Sequence, residues 1–345
     1  MRGKVVFIGF SYPHHGEYSG YDRIARHVGY DRVLHTDRML FFRWFHRLAQ
    51  RRGPLKIGRY TLCDPLQLFY RSFRVYARWR CAFLRDSVIH FAYPETGVVF
   101  HSVPWGKENG YVATLHLPAE DLYRLHPRIL GRMQGLDHAI LVSEDMYEGI
   151  SVVLPEVPMT FIPHGVEVSR FRPAAGERDN DILMLGNWLR DFPLAAQVFR
   201  ALDAAGHGLR VTAVALPENL ALLKDLPGVS CREGLSDDQL LDLMQRSRVL
   251  FLPLKRLTAN NAILEAAACG CRVALALHRP LNPTGYFPGL LETISVRPAE
   301  AAEQLASLVA EQDARGNELA AYARAHYAWE TVARSTELIL KTLKA

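Results

Sequence analysis

The sequence predicts an α/β protein made of two doubly wound parallel-sheet domains that face a common cleft. Three observations lead there. Short, continuously apolar runs recur along the chain. Helical patterns separate them, as in parallel sheets joined by crossovers. The runs also fall into two groups, parted by "IPHGVEVSRFRP" (162–173), which has two prolines, a glycine and no periodicity. The boundaries read from this are 1–165 for the first domain and 166–327 for the second, with a closing helix over 328–345.

In the first half, "KVVFIGF" (4–10), "SVIHFAY" (87–93), "YVATLHL" (111–117) and "AILVS" (139–143) read as buried strands. In the second, "DILMLG" (181–186), "LRVTAVAL" (209–216), "RVLFLPL" (248–254) and "RVALAL" (272–277) do the same. One helix start is marked in detail. Ser236 stands as N-cap, and Gln239 holds the capping-box position three residues on. Ligands of doubly wound domains bind at the carboxyl ends of the strands, so the loops there are where chemistry is expected.

The 345 residues are 49% hydrophobic and 22% charged, as in an ordinary globular chain long enough for two domains. No run approaches the ~18 apolar residues of a membrane span. "MRGKVVFIGF" reads as a strand followed by glycine, too short in its apolar part for a signal peptide. Five scattered cysteines argue for a reducing compartment, and so for a cytoplasmic protein. The C-x-C at Cys269 and Cys271 has no second ligand pair, so no metal site is expected.

The net charge of +5 is uneven. Between Arg38 and Arg85 stand twelve basic residues and one acidic residue, Asp64, with aromatics interleaved. Such an excess implies an anionic partner. No nucleic-acid motif accompanies it, so nucleic acid is not expected. An anionic membrane surface fits better, met by Arg43, Arg47, Arg71, Arg74 and Arg78. The aromatics among them, Phe69, Phe73 and Tyr76 included, read mostly as core.

Glu265 lies within "NNAILEAAACG" (260–270), a buried-helix composition in which an ionised carboxylate needs partners. The helix follows the strand at 248–254 through a short turn. Its free amides and dipole can therefore hold a phosphate, contacted by Asn260, Asn261 and Ala262. Asn261 and Glu265, four apart, share one face. From that place Glu265 can accept from the two hydroxyls of a ribose; a nearby Arg or Lys partner is an equal alternative. In "LGNWLRDFP", Gly186 lets backbone approach a ligand, Asn187 follows it, and Arg190 can clamp a diphosphate or else pair with Asp191 at the surface. A first-half loop with Gly16 and Gly20 precedes a helix and can approach a phosphate or sugar. His116 ends a strand, where it can serve a site or be structural.

In order, these pieces resemble the retaining glycosyltransferases of family four, the "glycosyl transferases group 1" enzymes of GT-B fold. "GYVATLHLP" is similar to that family's strand-histidine segment, "AILVSEDM" to its strand-serine segment, and "FIPHGVEVSRFRP" to its interdomain motif. "ILMLGNWLRD" sits at its diphosphate loop, and "NNAILEAAACGCRVAL" resembles its donor helix. The resemblance implies two Rossmann-like domains and a final helix that packs back on the first. It also implies transfer of a sugar from a nucleoside diphosphate sugar to a glycan, lipid-linked or other acceptor. That transfer would be retaining, with no cofactor; no Asp-x-Asp motif stands in a plausible place, so it is expected to be metal-independent, and the basic segment points to peripheral docking on the inner face of the membrane. His116, Arg190 and Glu265 take catalytic roles in the transfer. Two departures stand out. Leu257 occupies the place of the family's first donor-helix glutamate. Asn187 follows Gly186 where an arginine is usual, and Phe192 stands at the expected lysine. Two other readings remain open on the sequence: a nucleotide-sugar binding protein without turnover, and a GT-B nucleotide-sugar epimerase.

Overall fold

A computed structural model describes residues 3–12, 16–36, 55–57, 60–63, 65–97, 100, 103–106, 108–257, 259–278, 285–311 and 314–344. The chain forms two compact units. Unit 1 comprises Met1–Gly16, Gly20–Pro163 and Val332–Ala345; unit 2 comprises Glu17–Ser19 and His164–Thr331. The sequence reading placed residues 17–19 with the first domain, whereas they group with unit 2.

Unit 1 holds a six-stranded parallel sheet of β1 (Lys4–Gly9), β2 (Arg32–His35), β5 (Ser87–Phe91), β6 (Gly110–Leu115), β7 (His138–Leu141) and β8 (Met159–Phe161), ordered β2-β1-β5-β6-β7-β8. A separate hairpin pairs β3 (Leu55–Ile57) with β4 (Tyr60–Cys63). Every residue of β5 and β6 is buried, which explains why these strands show no polar alternation: both faces of the sheet are covered. His90 sits inside β5 with its ring nitrogens 2.7 Å from the Tyr30 hydroxyl and 2.8 Å from Thr114 Oγ1. Burial lowers its pKa to about 3, so it is a neutral core imidazole.

Unit 2 holds the second parallel sheet: β9 (Asn180–Leu185), β10 (Val211–Val214), β11 (Val229–Arg232), β12 (Ser247–Leu254), β13 (Arg272–Leu277) and β14 (Glu292–Ile294), ordered β11-β10-β9-β12-β13-β14. The strands run 3-2-1-4-5-6 in chain order, and the direction of travel reverses between β9 and β12. Phe199 from the Phe192–Ala204 helix packs on Phe251 of β12 within the main core. That helix is N-capped by Asp191, whose Oδ1 accepts from the Leu194 amide at 3.0 Å. The helix Asp237–Arg246 carries the expected capping box between Ser236 and Gln239.

The interdomain-like stretch is tightly packed. Gly165 lies so close to the buried Trp329 that a Cβ there would sit 2.2 Å from the indole. The Val166 amide donates to the Tyr327 carbonyl at 2.8 Å. The final helix, Trp329–Lys344, belongs to unit 1 from Val332 onward; there Glu337 accepts from the Gly29 amide at 3.0 Å, and Lys344 pairs with Asp31 at 3.6 Å. Among the described residues no helix is long and apolar enough to cross a membrane.

Candidate functional site

In unit 2 the loop after β9 and the helix after β12 meet at the switch point. Gly186 takes φ +89°, a backbone state that disfavours a side chain, and a Cβ there would lie 3.1 Å from Arg190 Nη2. The loop then turns through Leu189, itself at φ 59°, and is tied to β12 by two bonds. The Asp191 amide donates to Pro253 O at 2.9 Å, and the Lys255 amide donates to Leu189 O at 3.0 Å.

This turn folds Arg190 inward. Its side chain is buried, with Nε donating to Leu185 O at 2.7 Å, Nη1 to Trp188 O at 3.1 Å and Nη2 to Asn260 Oδ1 at 3.4 Å. Those acceptors are neutral. No carboxylate pairs with this guanidinium among the described residues, and burial lowers its pKa to about 10. A surface pair with Asp191, the alternative the sequence left open, is not what forms. Asp191 caps its helix and meets His278 Nε2 at 2.9 Å instead.

Asn260 connects Arg190 to the next element. It N-caps the helix Asn261–Ala268, accepting from the Ala262 amide at 3.1 Å with the same Oδ1 that faces Arg190. A positive side chain and the positive end of an eight-residue helix therefore converge on one place. Asn261 is half-buried with no side-chain hydrogen bond among the described residues. Asn187 is committed: its Oδ1 accepts from the Leu216 amide at 2.7 Å and from Asn219 Nδ2 at 2.9 Å, tethering this loop to the one after β10. Leu257, at the place of the absent glutamate, is buried.

Glu265 lies one turn into the helix and is buried. No Arg or Lys meets it among the described residues. Its partner is the Ser19 hydroxyl, which donates to Oε1. Burial raises its pKa to about 7; the Ser19 bond opposes the rise and the charge of Asp237 adds to it. Ser19 belongs to a three-residue segment held on unit 2. The Glu17 amide donates to Asp237 Oδ2 at 2.7 Å, and the Tyr18 ring lies 4.2 Å from the Arg170 guanidinium. Arg170 in turn pairs with Asp238 at 2.6 Å.

In unit 1, His116 follows β6. Its Nε2 donates to Ala92 O at 2.8 Å, and its ring lies 4.9 Å from that of Tyr93 and 5.0 Å from that of Tyr21. Beneath it is a residue the sequence reading did not single out. Glu95, in the 3-10 turn Pro94–Thr96 after β5, is buried, and its Oε1 accepts from the amides of His116 and Leu117. Burial raises its pKa to about 7 against those two bonds. A second buried carboxylate, Asp22, accepts from Ser11 Oγ at 3.0 Å and from the Tyr93 hydroxyl at 3.2 Å, and faces His35 Nε2 at 3.1 Å. Gly16 accepts from Arg23 Nη2 through its carbonyl at 3.3 Å, and Gly20, at φ 102°, precedes a helix over Tyr21–Arg26, which is of the 3-10 kind.

Of the basic residues read as membrane-facing, Arg71, Arg74 and Arg78 lie on the helix Pro65–Cys81, with Arg71 and Arg78 exposed and Arg74 half-buried. Arg43 and Arg47 lie outside the described residues. Among the described residues no three His, Cys, Asp or Glu side chains are grouped to hold a metal ion.

No family model matches this sequence, and none of the curated proteins does. Solved structures do resemble it. OtsA in its apo form shares 12% identity at a TM-score of 0.65 over 99% of each chain. Anabaena Alr3699/HepE, in complex with UDP and glucose, shares 14% at 0.64 over 98% of this chain and 99% of its own. A glycosyltransferase from Rickettsia africae ESF-5 shares 11% at 0.63 over 98% of both. TarM is longer: the match covers 74% of this chain and 54% of TarM. What is shared is the fold, the α/β GT-B architecture with two parallel six-stranded sheets.

Proposed function

We propose that the protein is a glycosyltransferase that moves a sugar from a nucleoside diphosphate sugar to an acceptor. One observation carries the reading above the rest. The guanidinium of Arg190 is buried, with no counter-charge among the described residues, beside the amino end of the Asn261–Ala268 helix, at the switch point of a doubly wound sheet. A buried cation is costly unless an anion completes it. A diphosphate supplies that anion, accepting from Arg190 and from the helix amides. Glu265, one turn in, then takes the ribose hydroxyls, which replace the Ser19 hydroxyl.

The chemistry follows from where charge grows. As the bond between the sugar and the diphosphate breaks, negative charge builds on the leaving phosphate, where Arg190 and the amides are already placed. Asn261, with its amide uncommitted, contacts the sugar or its phosphate in place of the carboxylate that Leu257 lacks. Unit 1 takes the acceptor. His116, held by Ala92, Tyr21 and Tyr93, is the unit 1 residue that serves the transfer step. Transfer with retention, and a glycan or lipid-linked acceptor, are parts of the same proposal.

The test is a thermal-shift screen of UDP, GDP and their sugars, followed by assays of donor hydrolysis and transfer. A ligand that binds the folded state raises its melting temperature. The expected result is stabilisation by one nucleoside diphosphate and turnover of its sugar, with His116→Ala keeping the first and losing the second. Stabilisation without hydrolysis or transfer would identify a binding protein, the reading that the buried Leu257 favours. No stabilisation by any nucleotide would overturn the donor site.

A further inference from the structure

The helix Pro65–Cys81 has two dissimilar faces. Phe69, Phe73, Ala77 and Cys81, spaced four apart, are buried in unit 1. On the opposite side, Val75 and Trp79, with Phe83 just past the helix end, point to solvent at 65%, 59% and 77% exposure. Of the aromatics expected to be mostly core, Phe69 and Phe73 are buried and Tyr76 is half-buried. Arg71 and Arg78 share the exposed side. Arg80 lays its guanidinium over the rings of Tyr76 and Trp79, at 5.9 and 5.7 Å, and its buried Nε has no hydrogen-bond partner.

Charge decides what such a face suits. Among the described residues, Arg71, Arg74, Arg78 and Arg80 pair with no carboxylate within 4.0 Å, and positions 65–85 contain no Asp or Glu. The Asp237–Arg246 helix differs: its Arg246 pairs with both Asp179 and Asp242. A protein partner with an apolar groove would satisfy the three apolar side chains but would leave the arginines to find carboxylates one by one. A phosphate-bearing lipid surface satisfies both at once. Apolar side chains enter the acyl boundary, aromatic rings sit at the headgroup level, and arginines meet the phosphates.

We propose that the exposed face of the Pro65–Cys81 helix, through Val75, Trp79 and Phe83 flanked by Arg71, Arg78 and Arg80, docks unit 1 on an anionic lipid bilayer. The proposal is independent of the donor site, and lipid binding needs no nucleotide. The test is co-sedimentation of the full chain with vesicles of phosphatidylglycerol and phosphatidylcholine, beside vesicles of phosphatidylcholine alone. Binding is expected to the first at low salt and to be weak for the second. It should be released near 1 M salt, where the screening length shrinks to ~3 Å. Replacing both Arg71 and Arg78 by Gln should lower partitioning roughly twenty-five-fold, from about five-fold per charge near an anionic surface. Trp79→Ser with Phe83→Ser should lower it about as far and abolish the blue shift of tryptophan emission on binding. Both variants are exposed changes, and an unchanged melting temperature checks that they fold. Equal binding to neutral vesicles, binding to neither, binding unaffected by these variants, or a dimer in solution that the Trp79 and Phe83 changes dissociate would each overturn the proposal.

Discussion

Two buried glutamates set the two units apart. Glu95 in unit 1 and Glu265 in unit 2 follow strands of parallel sheets, and burial raises each to a pKa of about 7. Their partners differ in kind. Glu95 accepts from two main-chain amides, those of His116 and Leu117, which the fold presents in every state of the site. Glu265 has a single side-chain hydroxyl, Ser19, which a ligand hydroxyl can displace. The same residue type, equally buried, is held by main-chain amides in one unit and by a side-chain hydroxyl in the other. The partner, and not the burial, makes the difference.

The largest expected effect is on stability against pH. Each carboxyl binds its proton more tightly folded than unfolded, so the stabilising form is the protonated one. Stability is then fullest below the ordinary glutamate range and is lost as pH rises from about 4.5 to about 7. A shift of this size corresponds to roughly 3 kcal/mol for each group. His90, neutral in the core, works the other way, losing stability as pH falls through the range between its ordinary value and about 3. Urea melts of Glu95→Gln and Glu265→Gln against wild type isolate the glutamates: each change should flatten the decline between pH 4.5 and 7. An unchanged slope in either would mean that its carboxyl titrates normally.

Next in size is Arg190→Ala. If Arg190 meets the diphosphate as proposed, its charge matters most when that leaving group gains charge, so the rate should fall more than donor affinity, by about 2–4 kcal/mol in transition-state stabilisation. A change in the donor Michaelis constant alone would make Arg190 a binding residue. The comparison itself is sharpened by truncation. Glu95→Ala orphans two amides at about 1–3 kcal/mol for an unsatisfied buried group, while Glu265→Ala orphans one hydroxyl that can turn to water. Denaturant midpoints should therefore drop for Glu95→Ala and stay or rise for Glu265→Ala; equal losses would erase the distinction drawn here.

The smallest expected effect is on binding. If ribose hydroxyls donate to Glu265, the carboxylate is the competent form, and affinity for the nucleoside diphosphate should rise as pH climbs through about 7, by up to about tenfold. Glu265→Gln should remove that component, leaving only the titration of the phosphate, and Glu95→Gln should keep it. Calorimetry across pH 6 to 8, a window set by that pKa, distinguishes them. Loss of the component in Glu95→Gln instead would place the titrating group in unit 1.

Much of the fold was legible in the sequence, and the missing parts have a common cause. All eight strands read from apolar runs are present, because central strands covered on both faces must be continuously apolar. The six strands not read are each three or four residues long, too short to show a period: β2, β8, β11 and β14 stand at sheet edges, and β3 and β4 form the separate hairpin. The capping box at Ser236 was readable because both its bonds span three residues.

The site divides along the same line. The sequence by itself determined that a helix begins at Asn260 after a buried strand, that a glycine ends β9, and that Glu265 is buried one turn in: each follows from period, cap or composition within a dozen residues. Only the tertiary structure decided what those residues meet. Ser19 reaches Glu265 from 246 positions away, Asn260 meets Arg190 across 70, and Glu95 sits under His116 across 21. "YPETG" reads as an ordinary turn, and "LRD" as an ordinary surface pair. A buried charge is defined by groups that arrive from elsewhere in the chain, and no local pattern records which group will arrive.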